Sequence, residues 1–104
     1  MIKKYVVLSI LSLLPILAHA DASQIKTYRC DDGITLSIQY HARYADSLQI
    51  EGSDGSDGFY LPLGDGFGFE RDSDRQLLFL GMDLYSLQDT GTLNLGSERV
   101  KCTD

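Results

Sequence analysis

Between Ile34 and Tyr40 every second residue is apolar: Ile34, Leu36, Ile38 and Tyr40 alternate with Thr35, Ser37 and Gln39. A period of two places one set of side chains on each face of a pleated strand, so this stretch is a half-buried strand and not a helix. Asp31-Asp32-Gly33 before it is a turn, with Gly33 free to take positive φ, and residues 27–30 make a short strand, so the two form a hairpin. Leu48-Gln49-Ile50 repeats the alternation. In residues 59–63, Phe59, Leu61 and Leu63 alternate with Tyr60 and Pro62, and the proline places this strand at an edge or an end. Residues 76–80 read as a continuous apolar core strand, and 84–87, 93–95 and 99–102 are the remaining strands. No window of about 12 residues holds a helical face without a glycine or a turn cluster. Short strands at this spacing predict an all-β sandwich or barrel.

The working domain is shorter than the 104-residue chain. Lys3 and Lys4 form a positive n-region, residues 6–17 an apolar h-region, and Ala18-His19-Ala20 a cleavage site. The apolar run is broken by Ser9, Ser12 and Pro15 and falls short of the roughly 20 residues a membrane span needs. Residues 1–20 therefore read as an export signal cleaved after Ala20, and 21–104 as one domain with no membrane attachment once the signal is removed. The short basic n-region points to a bacterial periplasm, although a eukaryotic secretory signal has much the same form. Cys30 and Cys102 both lie in the mature chain and pair in an oxidising compartment. Their bridge joins the first strand to the last, where a closing barrel needs reinforcement.

Charge narrows the partners. Without Lys3 and Lys4 the mature chain keeps 7 basic residues against 15 acidic ones, a net charge of −8. Such a body repels nucleic acid and favours a basic partner or a cation. Residues 52–75 hold six of the ten glycines and carry net −4, as two acidic loops around a short strand. Loops on a rigid β scaffold are natural binding elements. Asp54, Asp57, Asp72 and Asp74 supply oxygens suited to calcium, but no EF-hand spacing is met: Leu77 stands where the loop glycine belongs and Asp83 where the closing glutamate belongs. His41 is the single mature histidine, at a strand end, with no catalytic or cofactor motif beside it. The expectation is a binding protein, not an enzyme, with neither metal nor cofactor.

Tyr28-x-Cys30-Asp31-Asp32-Gly33-x-x-Leu36-x-x-x-Tyr40 resembles the opening signature of the MliC/PliC family, bacterial inhibitors of C-type lysozyme. Leu61-Pro62, the glycine-rich Asp65-Gly66-Phe67-Gly68-Phe69, the apolar 77–80 and the closing Cys102 are similar to later elements of that family. The resemblance implies an antiparallel β-barrel of about eight strands closed by one disulfide. It also implies that two loops plug the lysozyme cleft, one through a serine and one through a lysine that pairs with a catalytic carboxylate. Here Asp65 stands at the serine's place, Phe69 at a tyrosine's, and Gly81 or Met82 at the lysine's, with Asp83 matching an aspartate. The contact loops are then Asp65, Gly66, Phe67, Gly68 and Phe69, and Gly81, Met82 and Asp83. Two substitutes for the lysine's contact follow: Arg71 or Arg75, in the lengthened first loop, reaches the cleft with a bidentate carboxylate bond, or the acidic loops bind the basic rims of the cleft and block it sterically. Tyr28, Leu36, Tyr40 and Leu61 read as core. The partner implied is C-type lysozyme or another basic protein; the alternative is an envelope-binding module of the same fold with a different partner.

Overall fold

A computed structural model describes residues 23–104 except 53, 54, 65 and 66. The proposed signal, residues 1–20, lies outside the described residues. Eight strands close into one antiparallel barrel in simple sequence order: β1 (Ser23–Cys30), β2 (Ile34–His41), β3 (Tyr44–Glu51), β4 (Gly58–Pro62), β5 (Gly68–Arg71), β6 (Leu77–Leu80), β7 (Thr90–Leu95) and β8 (Glu98–Thr103). A one-turn helix, α1 (Met82–Tyr85), lies between β6 and β7. The eight-stranded antiparallel barrel with its Cys30–Cys102 bridge is the architecture expected.

The hairpin at the start follows its sequence closely. Cys30 and Ile34 face each other across Asp31–Gly33, and both Asp32 (φ 65°) and Gly33 (φ 72°) adopt the left-handed conformation. Tyr28, Ile34, Leu36, Ile38 and Tyr40 point inward and are buried. Every strand adds to this core, including Leu48, Tyr60, Phe69, Leu78, Leu93 and Val100. Cys30 and Cys102 are opposed partners where β8 meets β1, so the bridge crosses the line along which the barrel closes.

Three strand readings need correction. Residues 84–87 are not a strand: α1 ends at Tyr85 and Leu87 takes φ 64°. Leu84 turns into the end of the barrel and is fully buried there. Residues 77–80 are half-buried, not a continuous core strand: Leu78 and Leu80 face inward, while Leu77 and Phe79 face outward. In β4 the phase is inverted. Tyr60 points inward, and Phe59 and Leu61 point outward, so Leu61 is not core. The cause is register. Leu48 and Ile50 of β3 already face the core and pair with Tyr60 and Gly58, and opposed residues share a face.

The barrel end away from α1 is filled by Arg71. Its guanidinium lies over the Tyr60 ring, 5.9 Å from the centroid. Nε and Nη2 donate to the two Asp74 carboxylate oxygens at 2.8 and 2.9 Å, and Nη1 donates to the carbonyls of Gly55 and Asp57 at 2.7 and 2.9 Å. The bidentate bond from Arg71 holds the Asp74 carboxyl below its ordinary range. Gly58 leaves room for this arginine, since a Cβ there would stand 2.6 Å from Arg71 Cδ.

Candidate functional site

Three connections meet at the opposite end of the barrel, which we term the mouth. The β2–β3 turn is two residues long, Ala42 and Arg43, with Ala42 at φ 62°. The β4–β5 connection is tied by Leu63 N–H donating to the Gly68 carbonyl at 3.0 Å. The β6–β7 connection, residues 81–89, carries α1. The last two are joined directly, because Leu80 N–H donates to the Phe67 carbonyl at 3.1 Å. Side chains complete the junction: the Phe67 ring meets Tyr85 edge-on at 4.8 Å, and Tyr85 lies 5.6 Å from Tyr44. Tyr44 (56% exposed) and Met82 (63% exposed) stand out into solvent beside this aromatic row.

A helix of one turn does not hold itself together in water. α1 is fixed from both sides. Asp83 Oδ1 accepts from Leu84 N–H at 2.8 Å and from Thr92 N–H at 3.3 Å. Gly91 permits this approach, since a Cβ at that position would stand 2.5 Å from Asp83 Oδ1 and 2.7 Å from Leu84 Cγ. From below, Tyr40 Oη donates to the Leu84 carbonyl at 2.5 Å and Tyr28 Oη to the Gln88 carbonyl at 2.6 Å, while the two hydroxyls lie 2.8 Å apart. Three short oxygen contacts thus share two hydroxyl protons. Burial pushes both phenols above their ordinary range, so the pair stays protonated and keeps donating. Tyr40→Phe removes the donor to a buried carbonyl and is expected to cost about 1–3 kcal/mol. Thermal unfolding checks the cost, and amide exchange should rise first at residues 84–88.

The predicted contact residues divide sharply. Phe67, Gly81, Met82 and Asp83 lie at the mouth, and the two proposed loops do meet there. Asp83, however, spends Oδ1 on backbone amides. Asp65 and Gly66 lie outside the described residues. Gly68 is buried in β5 and Phe69 is a fully buried core side chain, so neither is a contact residue. Arg71 and Arg75 sit at the other end of the barrel, and Arg71 is fully engaged with Asp74, Gly55 and Asp57, so the arginine substitution for the missing lysine is not made from there. Tyr44, Tyr85 and Arg43 were not legible as site residues. Arg43 is exposed in the β2–β3 turn and makes no ion pair among the described residues.

Of the calcium candidates, Asp74 is occupied by Arg71 and Gln76 N–H, and Asp54 lies outside the described residues. No group of three or more His, Cys, Asp or Glu is arranged to hold a metal ion among the described residues. A groove of about 440 Å³ runs along β7 and β8, but its cations Arg29 and Lys101 are offset by Asp31 and Asp83. No helix among the described residues is long and apolar enough to cross a membrane. The bridge is compatible with an extracytoplasmic location. No family model, curated protein or solved structure matches this chain.

Proposed function

We propose that this chain is a periplasmic inhibitor of C-type lysozyme, exported by residues 1–20 and acting as the domain 21–104. It acts by stoichiometric occlusion, without catalysis: the mouth enters the enzyme's cleft and blocks it. The single observation that supports this is the direct junction of the two loops at the mouth, Leu80 N–H to the Phe67 carbonyl, which joins them into one projecting surface. Phe67, Tyr44 and Met82 supply apolar contact area, and rigid aromatic anchors bind at low entropic cost. Arg43 supplies the cation that the second loop lacks; its planar fork suits a carboxylate better than a lysine would. The net charge of −8 draws in a basic enzyme over long range, and salt weakens that attraction.

The test is a lysis assay with a C-type lysozyme and the oxidised, signal-free protein. Wild type is expected to inhibit at equimolar ratio, less so at high salt. Arg43→Ala is expected to raise the inhibition constant about tenfold or more, the size of one lost charge-assisted contact, with an unchanged melting temperature. Full lysis in the presence of excess folded wild type would sink the reading. The second reading, an envelope-binding module with another partner, is favoured by one observation: the mouth presents an aromatic row, while Asp65 and Gly81 or Met82 stand where the family it resembles carries serine and lysine. Pull-downs on C-, G- and I-type lysozymes separate the two.

A further inference from the structure

The outside of a barrel faces water, and its outward residues should be polar. On β2 and β3 they are: Thr35, Ser37, Gln39, Ser47 and Gln49. On β4 and β6 they are not. Phe59, Leu61, Leu77 and Phe79 point outward and are 47%, 40%, 47% and 42% exposed. Register makes them contiguous. Leu61, Glu70 and Leu77 stand in one row across β4, β5 and β6, and Gly68 pairs with Phe79 in the next. A contiguous apolar patch on a small domain marks a place where something else binds.

Its charges say what. Glu70 stands between Leu61 and Leu77 and makes no ion pair among the described residues. Asp57 lies two residues before Phe59, and Asp72 donates its N–H to the Phe59 carbonyl at 2.8 Å, so the far border is acidic as well. Of the two neighbouring cations, Arg71 is turned inward and held by Asp74, and Arg75, exposed in the turn two residues before Leu77, sets one positive charge against the three carboxylates of Asp57, Glu70 and Asp72. Along the rows beyond β6 the first outward cation is Arg99, which pairs with Asn94. An anionic bilayer meets repulsion here. A second copy would set this acidic patch against its own like, because a two-fold contact uses the same surface on both partners. We infer that the outer face of β4, β5 and β6 is a second docking surface, for a cationic protein segment that sets a Lys or Arg against Glu70 and apolar side chains over Leu61, Leu77 and Phe79. This inference does not depend on the mouth reading.

The probe is a short synthetic amphipathic peptide of Leu and Lys, titrated into the isotope-labelled, oxidised, signal-free protein and followed by amide NMR. Shifts are expected at Glu70, Leu77 and Phe79 and their neighbours. Glu70→Lys, an outward change that leaves the core intact, is expected to weaken binding about tenfold or more. Leu77→Thr with Phe79→Thr is expected to do the same; should that pair fail to fold, Glu70→Lys alone decides. Shifts confined to the mouth, shifts scattered over the acidic loops with unchanged affinity for Glu70→Lys, or no binding would overturn the inference. Flotation of wild type with phosphatidylglycerol vesicles, or self-association abolished by Leu77→Thr with Phe79→Thr, would assign the face to lipid or to a second copy and would overturn it equally.

Discussion

Reduction of the Cys30–Cys102 bridge is expected to lower the melting temperature by on the order of 20 °C. Loop-closure entropy over a sequence separation of 72 residues is the basis. It puts the bridge at about 4 kcal/mol, against a total of about 5–10 kcal/mol for a domain of this size. In a small domain each 1 kcal/mol shifts melting by roughly 5 °C. The closure of the barrel rests on little else. β1 and β8 share only two opposed pairs, Arg29 with Thr103 and Cys30 with Cys102. Towards the mouth, side chains span the gap: Lys26 Nζ bonds Asp89 at 2.6 Å and approaches Asp104 at 3.5 Å, and Tyr28 reaches the Gln88 carbonyl. The Asp89 carboxylate is 84% exposed, and an ion pair that open to solvent adds at most about 1 kcal/mol. Calorimetry of the oxidised protein, the reduced protein and the Cys30→Ser, Cys102→Ser variant measures the effect. A shift of only a few degrees would mean that the β1–β8 line closes well without its covalent link.

What the sequence discloses depends on whether one strand's pattern suffices. β2 needs no neighbour to be read, because its outward residues are polar and its inward ones apolar. β4 does need one. Phe59, Tyr60 and Leu61 are all apolar, so the pattern admits either phase, and pairing with Leu48 and Ile50 of β3 decides it. β6 is ambiguous for the same reason, and there the surplus apolar side chains are the outward patch. Tyr44 escapes notice because of a bulge. Gln39 pairs with Ser47 and Tyr40 with Ala45, leaving Asp46 unpaired, and that extra residue buries Ala45 and sends Tyr44 to the rim. α1 is too short to show a helical period. Arg71 looked available because its acceptors at Gly55 and Asp57 are backbone carbonyls, which leave no mark in a sequence. At the mouth, Phe67 was readable from the glycine-rich loop and Met82 from the family resemblance, whereas Tyr85 and Arg43 depend on which connections the barrel brings together.

Phe67 and Phe69 put that difference to a direct test, because they share a residue type and lie two positions apart. Phe69→Ala is expected to cost about 3–5 kcal/mol, the usual range for removing a ring from a packed interior. Phe69 is fully buried between Pro62 of β4 and Leu78 of β6 in register, and the short β5 has little freedom to collapse into the space left behind. Phe67→Ala removes a partly exposed ring that packs edge-on against Tyr85, and is expected to cost about 1 kcal/mol. The functional readout should run the other way. If the mouth enters a cleft, Phe67→Ala weakens inhibition with near-wild-type melting, while Phe69→Ala loses activity only in proportion to the fraction unfolded. Stability curves and inhibition constants measured on both variants at a temperature where each is folded separate the two roles. Equal destabilisation by the two substitutions would contradict the placement of Phe69 in the core. A folded Phe69→Ala protein with selectively lost inhibition would return that residue to the contact surface from which its burial removes it.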